Sequence, residues 1–451
     1  MKKTPVPSTR RAFLRKTTGA LATISIVPSY VIGLRAATLS PNSKLNIACI
    51  GVGGQGAADL GNVSSENIVA LCDVDSKHAA ASFAKFPQAK KYRDFRRMLD
   101  ELGKSIDAVV VATPDHAHSV IAMRAIKMGK HVYCEKPLAH SIFEVRALVD
   151  AARRHKVVTQ LGNQGHASES IRAFVEWVQD GAIGTVREVH AMCGSVYGHP
   201  DKVENVKEAF PVPETLDWDT WLGPAKYRGY NPMYLPGQWR GWSAFGTGVI
   251  GDWTCHVVDP VFWALDLGAP THVEALETGD FDPAKHAETF PTGSVIRYDF
   301  AAKGKRAAVK LIWYDGAQKP PRPAELEKDE KLPGIGAVVV GDKGKIIYGS
   351  HGAGGLRIVP DSQAEGWEKH PKRLAKSPGH HKEWIAACKD GTPSGSNFNY
   401  GGPLTELALL GIIAMRFKGR RLEWNSAKMK FANYPEAAPL LTPTFRDGWR
   451  L

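Results

Sequence analysis

The stretch Lys44-Leu-Asn-Ile-Ala-Cys-Ile-Gly-Val-Gly-Gly-Gln-Gly56 constrains the fold of this chain more than any other. An apolar run of strand length leads directly into Gly51-x-Gly53-x-x-Gly56, with Gly54 and Gln55 inside the turn, and a short helix is expected from Ala57. A second apolar run, NIVALCDVD, brings Asp73 to a strand end 22 residues after Gly51. Strand, glycine turn, helix, strand and acid at this spacing form a dinucleotide-binding fingerprint. The glycines admit a pyrophosphate to the backbone, the helix start supplies a positive dipole, and the acid accepts ribose hydroxyls. The same acid repels a 2′-phosphate, so NAD is favoured over NADP. Asp75 can share that role, and Lys77 lies close by.

The alternation of strand and helix continues. A strand at 107–112 breaks at Thr113-Pro114 and enters a helix near His116, and a strand at 131–134 ends in Glu135-Lys136-Pro137. A helix over 142–155 and the strand VVTQLG follow. Ligands of an open parallel sheet bind at the carboxyl ends of its strands. Thr113, Pro114, His116, Glu135 and Lys136 are therefore expected to join Gly51, Gly53, Gly54, Gln55, Gly56 and Asp73 around the cofactor. Lys136 stands where a nicotinamide ring would lie. Further on, GTGVIGDWTCHVVDP sets Asp252 and His256 four residues apart, on one face of a helix.

From about Gly184 the texture changes. TVREVHAMCGSV, THVEALET, SVIRYDFAA, AAVKLIWYDG, GAVVVGDKGKIIYG and LRIVP alternate apolar and polar residues between turns, which predicts an antiparallel sheet with one buried face. Two late helices, HHKEWIAACKDG and GPLTELALLGIIAMRF, are expected to pack back on it. Between lies a loop-rich stretch, 197–244, dense in Trp, Tyr, Pro and Gly. Its rings, with Arg228, Asn231, Gln238 and Arg240, suit a carbohydrate cleft, and equally an aromatic core tying loops together. Trp239 and Arg240 are the expected substrate contacts there. Asn163 and His166, after the strand VVTQLG, are expected at the cleft mouth.

In this order, the glycine turn, ATPDHAH, EKP and D-x-x-x-H resemble the Gfo/Idh/MocA family of nicotinamide-dependent oxidoreductases from Leu45 to about Trp424. The resemblance implies a catalytic group of Lys136, Asp252 and His256, and an α+β substrate domain whose sheet serves as an oligomer interface. The expected organisation is α/β: signal and linker (1–40), an N-terminal Rossmann NAD-binding domain (41–165), an α+β substrate and oligomerisation domain with a large, mostly antiparallel open sheet (166–425), and a tail (426–451). The expected activity is NAD-dependent oxidation of a secondary hydroxyl of a sugar or polyol, with tightly bound cofactor. The alternative is an NAD-dependent glycoside hydrolase or lyase that oxidises its sugar transiently.

The net charge of +12 is partly local: residues 1–37 hold seven Lys/Arg and no acid, and without them 51 basic residues face 46 acidic ones. That balance calls for no nucleic acid partner. The segment STRRAFLRKTTGALATISIVP resembles a twin-arginine export signal, its apolar run too short to span a bilayer, so a periplasmic or extracytoplasmic location is expected. The six cysteines include no C-x-x-C pair, and Asp252 with His256 lacks a third ligand, so neither a disulfide framework nor a metal site is expected.

Overall fold

The computed structural model describes residues 44–451, so the twin-arginine segment lies outside the described residues. Six strands, β1 (Asn46–Ile50), β2 (Asn67–Cys72), β3 (Lys90–Tyr92), β4 (Ala108–Val111), β5 (His131–Glu135) and β6 (Thr159–Gly162), form one parallel sheet in the order β3-β2-β1-β4-β5-β6. The order reverses between β1 and β4, and this opens a crevice beyond their carboxyl ends. Apart from the exposed edge strand β3, the strands are almost wholly buried, as runs covered on both faces must be. Helices α1 (Gly54–Asn62), α2 (Phe95–Leu102), α3 (Asp115–Lys127) and α4 (Ile142–His155) supply crossovers. Helix α4 starts on a Ser141 side-chain cap and stops at Lys156 in the left-handed region.

The second sheet has nine strands: β7 (Val186–Cys193), β8 (His272–Glu277), β9 (Val295–Phe300), β10 (Val309–Asp315), β11 (Ile335–Gly341), β12 (Lys345–Gly349), β13 (Arg357–Val359), β14 (Leu422–Asn425) and β15 (Lys430–Phe431). They run in the order β13-β12-β11-β7-β10-β9-β8-β14-β15. All pairs are antiparallel except β7 with β10, whose parallel register alternation alone does not reveal. The face carrying Ile296, Tyr298 and Phe300 belongs to the main core. Short helices α5 (Trp218–Leu222), α6 (Gly248–Val257) and α7 (Asp259–Ala264) precede β8, and α8 (His380–Asp390) and α9 (Phe398–Met415) precede β14. Helix α9 runs close against α6 and β9 because Gly411 leaves room: a Cβ there would meet the Tyr298 hydroxyl at 2.2 Å and Ile250 at 2.5 Å.

Two features depart from the expected chain boundaries. Helix α8 does not stay with the second sheet. Its Trp384, Ile385 and Cys388 are buried among Leu45, Ile47 and Leu71 of the parallel sheet. The tail beyond 425 adds β15 to the second sheet and brings Trp449 back against Phe95 of α2. Arg146 of α4 and Glu406 of α9 tie the two layers with bonds of 2.7 and 2.9 Å. Among the described residues, no helix is long and apolar enough to cross a membrane.

Trp384 is fully buried and comes from the far end of the chain. Trp384→Ala is expected to cost ~3–5 kcal/mol in urea unfolding, the usual loss for a buried aromatic truncated to Ala. A loss below about 1 kcal/mol would mean that α8 merely rests on the parallel sheet.

Candidate active site

The glycine turn is shaped by close approaches. Gly51 has φ +76°, and a Cβ on Gly56 would lie 1.9 Å from the Gly51 carbonyl oxygen, so Gly56 packs the helix onto the turn and does not face the crevice. Helix α1 starts at Gly53 with no side-chain cap, which leaves its first N–H groups free for an anion. Asp73 accepts from the backbone N–H groups of Val52 (2.9 Å) and Asp75 (3.0 Å), which aims its carboxylate at the end of the turn. Burial raises its pKa above the ordinary carboxylate value. Gly51, Gly53, Gly54, Gln55, Asp73, Thr113, Pro114, Glu135 and Lys136 all line one cavity of about 800 Å³. A glycine cradle, an acid at the next strand end and a cavity of this volume fit a dinucleotide.

Lys136 reaches into the wall of that cavity from the end of β5. Its Nζ lies 2.5 Å from Asp252 Oδ1. The other Asp252 oxygen accepts from the Tyr197 hydroxyl at 2.8 Å, and Arg240 Nε lies 3.6 Å from Oδ1. Burial by itself would lower the Lys136 pKa, the shift expected of a desolvated lysine, but the Asp252 and Glu135 carboxylates outweigh it and hold the ammonium above its ordinary value. Burial would likewise raise the Asp252 carboxyl; Lys136 and Arg240 hold it well below the usual carboxylate range. Lys136 is therefore a fixed cation and Asp252 a fixed anion.

His256 shares α6 with Asp252 but is not bonded to it. The Asp252 oxygens are taken by Lys136 and Tyr197, and the buried His256 Nδ1 finds no hydrogen-bond partner among the described residues. Its ring stacks on His351 at 4.3 Å and meets Trp253 edge-on at 5.9 Å. Burial first, then the Lys136 ammonium and His351, push its pKa well below the usual imidazole range, so it is neutral at pH 7. His351 itself sits at φ +55°, a region non-glycine residues seldom occupy.

Three expected contacts take other places. His116 lies buried between Trp221 and Phe245, its nitrogens 3.0 and 3.3 Å from their carbonyl oxygens, so it locks α3 against the aromatic loops instead of meeting the cofactor. Asn163 donates to Asp259 at 3.0 Å and accepts from Ser396 at 2.6 Å, wholly buried. His166 faces the same Asp259 at 3.0 Å and stacks on Trp263. Neither opens to a cleft mouth. In the aromatic stretch, Trp218, Trp221, Tyr234, Trp242 and Phe245 bury one another in a cluster of their own. Arg228 pairs with Glu288, and Asn231 is spent on the carbonyls of Asn205 and Glu208. Trp239 and Arg240 alone among the expected substrate contacts line the cavity.

Other residues complete the site. Tyr197 links Asp252 to the Trp253 indole (3.0 Å). His118 stands between the carbonyls of Thr113 (2.7 Å) and Pro137 (2.8 Å), joining two cavity loops. Asp115 accepts from Thr247 at 2.6 Å, tying α3 to the start of α6. Asp59, wholly buried, accepts from Gln55 at 3.1 Å and lies 3.0 Å from His381 Nε2; burial pushes its carboxyl up to about 6. The DHAH spacing flagged a functional turn, but nothing local marks Tyr197 or His351. All six cysteines are free and buried, and no metal-holding group of three His, Cys, Asp or Glu exists among the described residues.

Comparison with known proteins agrees with this geometry. The NAD-binding Rossmann-fold model of the Gfo/Idh/MocA oxidoreductase family matches residues 45–163, and the family's C-terminal alpha/beta model matches 177–306, together more than half of the chain. Inositol 2-dehydrogenase of Salmonella typhimurium is 27% identical over 204 residues, 43% of this chain and 59% of that protein. The chain thus spans about six-tenths of that relative's length. A glycosyl hydrolase family 109 protein of Saccharopolyspora erythraea is 27% identical over 290 residues, 58% of this chain and 56% of that one. In fold, an NAD-binding protein from Listeria innocua superposes with TM-score 0.58 over 84% of this chain and 97% of its own, at 19% identity.

The buried pair predicts a specific pH response. With Lys136 raised and Asp252 lowered in the folded state, its stabilisation is fully present between their unfolded values and changes little from about pH 5 to 10. Asp252→Asn strands the ammonium, an expected loss of ~3–5 kcal/mol at neutral pH. Burial then depresses the Lys136 pKa, so the unfolded chain binds more protons and the deficit shrinks as pH rises toward about 10. Urea unfolding at about pH 6, 8 and 10 checks this. A deficit that stays the same at all three would refute the pairing.

Proposed function

The chain belongs to the Gfo/Idh/MocA family of NAD-binding oxidoreductases, and on that premise we propose that it oxidises a secondary hydroxyl of a sugar or polyol with a dinucleotide that stays bound through turnover. The observation that carries this reading is the Lys136–Asp252 pair, its lysine in the wall of the glycine-cradled cavity, with a neutral, unpaired His256 on the helix that carries Asp252. The backbone of Gly51 to Gln55 would hold the pyrophosphate and Asp73 a ribose, with Lys136 at the nicotinamide end. A bound nicotinamide supplies the hydride acceptor.

The chain's own groups do the rest. His256 takes the hydroxyl proton, which a neutral imidazole can do and an imidazolium cannot. The Lys136 ammonium stabilises the negative charge developing on the same oxygen, in a site where few waters compete. Asp252 keeps Lys136 charged and in place, and Tyr197 fixes Asp252. Trp239 and Arg240, the guanidinium 4.3 Å from the indole ring, offer a sugar one stacking face and one hydrogen-bonding arm.

The upstream TRRAFL segment supports export of the folded chain, loaded with cofactor, to a compartment with little free NAD. Retention with on-enzyme recycling follows from that. The second sheet also carries Met192, Tyr314, Val338 and Ile347 in a separate apolar cluster bordered by half-buried Val295, Ile312 and Val340, which supports an oligomer formed through this face. A second reading, glycoside cleavage through transient oxidation, draws on the family 109 relative, since oxidation beside a C–H acidifies it and permits elimination.

Lys136→Ala and His256→Ala are each expected to cut turnover by ~10²–10⁴-fold while the purified protein keeps its nucleotide. Near-normal turnover in either variant removes that residue from the mechanism. Prolonged dialysis of the unmodified protein should leave nucleotide and activity in place without added NAD; loss of both, restored only by stoichiometric NAD, favours an ordinary exchanging dehydrogenase. With nitrophenyl glycosides and free sugars side by side, aglycone release without net NADH selects the second reading.

A further inference from the structure

The cavity is not an open crevice. A strap, residues 213–223, crosses the end marked by Asp73 and is stitched to the loop after β2. Asp75 and Leu216 form an antiparallel bridge, Ser76 N–H donates to Thr215 O (3.0 Å), and Asp217 N–H donates to Val74 O (2.9 Å). Arg93 adds donations to the carbonyls of Thr215 (3.1 Å) and Glu214 (3.4 Å). A strap bonded to the very loop that carries Asp73 covers whatever Asp73 holds.

The strap is pinned in turn by the C-terminal segment. Arg446 spends its whole guanidinium on it: Nη1 to the Asp219 carboxylate (2.5 Å), Nη2 to Asp219 O (3.0 Å) and Nε to Gly223 O (3.1 Å), while its own N–H donates to Pro224 O (3.0 Å). One turn later, Trp449 N–H donates to Arg446 O (3.0 Å). The indole reaches to 3.8 Å of where a Gly223 Cβ would stand, lies 6.0 Å from the Phe95 ring, and carries the Arg96 guanidinium at 4.5 Å. Trp449, Phe95 and Ile121 all line the cavity, beside Asp73 and Arg93.

We propose that Trp449 is a wall of the adenine subsite and that Arg446 is the latch holding strap and wall closed over the adenosine half of the dinucleotide. The inference rests on the NAD reading, through Asp73, and concerns residues far from the glycine turn. Past a ribose held by Asp73, a purine needs a flat apolar surface, and the two rings and Ile121 supply it. Release then requires the C-terminal segment to detach before the strap can lift, because Arg446 bonds to both ends of α5.

The test compares Trp449→Ala, Trp449→Phe and Arg446→Ala with the unmodified protein. NADH release is followed by its fluorescence after stopped-flow mixing with excess NAD, and the affinities of AMP and of nicotinamide mononucleotide are measured by calorimetry. Losing a stacked base partner typically corresponds to roughly ten-fold or more. Trp449→Ala should speed release and weaken AMP by about that factor, Trp449→Phe by much less, and Arg446→Ala should speed release similarly; nicotinamide mononucleotide affinity should not move. Release and AMP affinity unchanged in Trp449→Ala and Arg446→Ala would overturn the proposal, as would equal weakening of both half-molecules. Should Trp449→Ala fail to fold, Trp449→Phe and Arg446→Ala still decide it. Failure of the unmodified protein to bind NADH at all would instead sink the dinucleotide reading itself.

Discussion

The buried ion pair between Lys136 and Asp252 is the constraint around which the two halves of the molecule are arranged. Neither charge could be left in this environment alone, since a desolvated ion costs several kcal/mol unless an opposite charge and further hydrogen bonds meet it. Lys136 rides on the end of a parallel strand and Asp252 on a helix of the second domain, 116 residues later. The pair forms only if both domains hold register to within a fraction of an ångström. The surroundings supply that. Leu138 N–H donates to Thr405 on α9, His118 bridges the loops after β4 and β5, and Thr247 ties the start of α6 to Asp115. Packing between the domains and chemistry at their junction are thus one problem.

How much of this was legible beforehand divides along a physical line. Interactions local in sequence leave periodic traces, and those were readable: the glycine turn with Asp73, the buried parallel strands, helix Ile142–His155, and the strands from β7 to β13. The EKP lysine and the acid on α6 were also placed together, though only the family resemblance joined them across the chain. Partnerships between distant segments leave no such trace. Nothing in HHKEWIAACKDG says that Trp384 completes the core of the first domain, and nothing in RDGW says that Trp449 returns to the cavity.

The misplaced residues follow a common rule. His116, Asn163 and His166 stand at strand ends or helix starts near the crevice, as ligand-binding groups do, but each is buried and hydrogen-bonded to protein partners. The aromatic stretch behaves alike: rings so close in sequence largely bury one another, and of them Trp221, Tyr230 and Trp239 reach the cavity wall. Position along a strand suggests that a side chain is near a site, whereas the supply of neighbouring donors and acceptors decides whether it enters.

On the proposed mechanism, the charge arrangement also divides the catalytic labour. Burial alone would lower the Lys136 pKa, and its carboxylate partners reverse that, so proton acceptance falls to the neutral imidazole. His256 stays neutral partly because the Lys136 cation stands near, and the same cation makes a protonated His256 unstable. A proton taken from substrate is therefore held only briefly and must pass on. Asp252 cannot take it, being held well below the usual carboxylate range by Lys136 and Arg240. His351, stacked on His256, exposed, and with a pKa that burial also lowers, is the adjoining group with access to solvent. A weak base beside a fixed cation suits an enzyme that must return the proton as readily as it takes it, as any cycle that oxidises and then re-reduces on a retained cofactor requires.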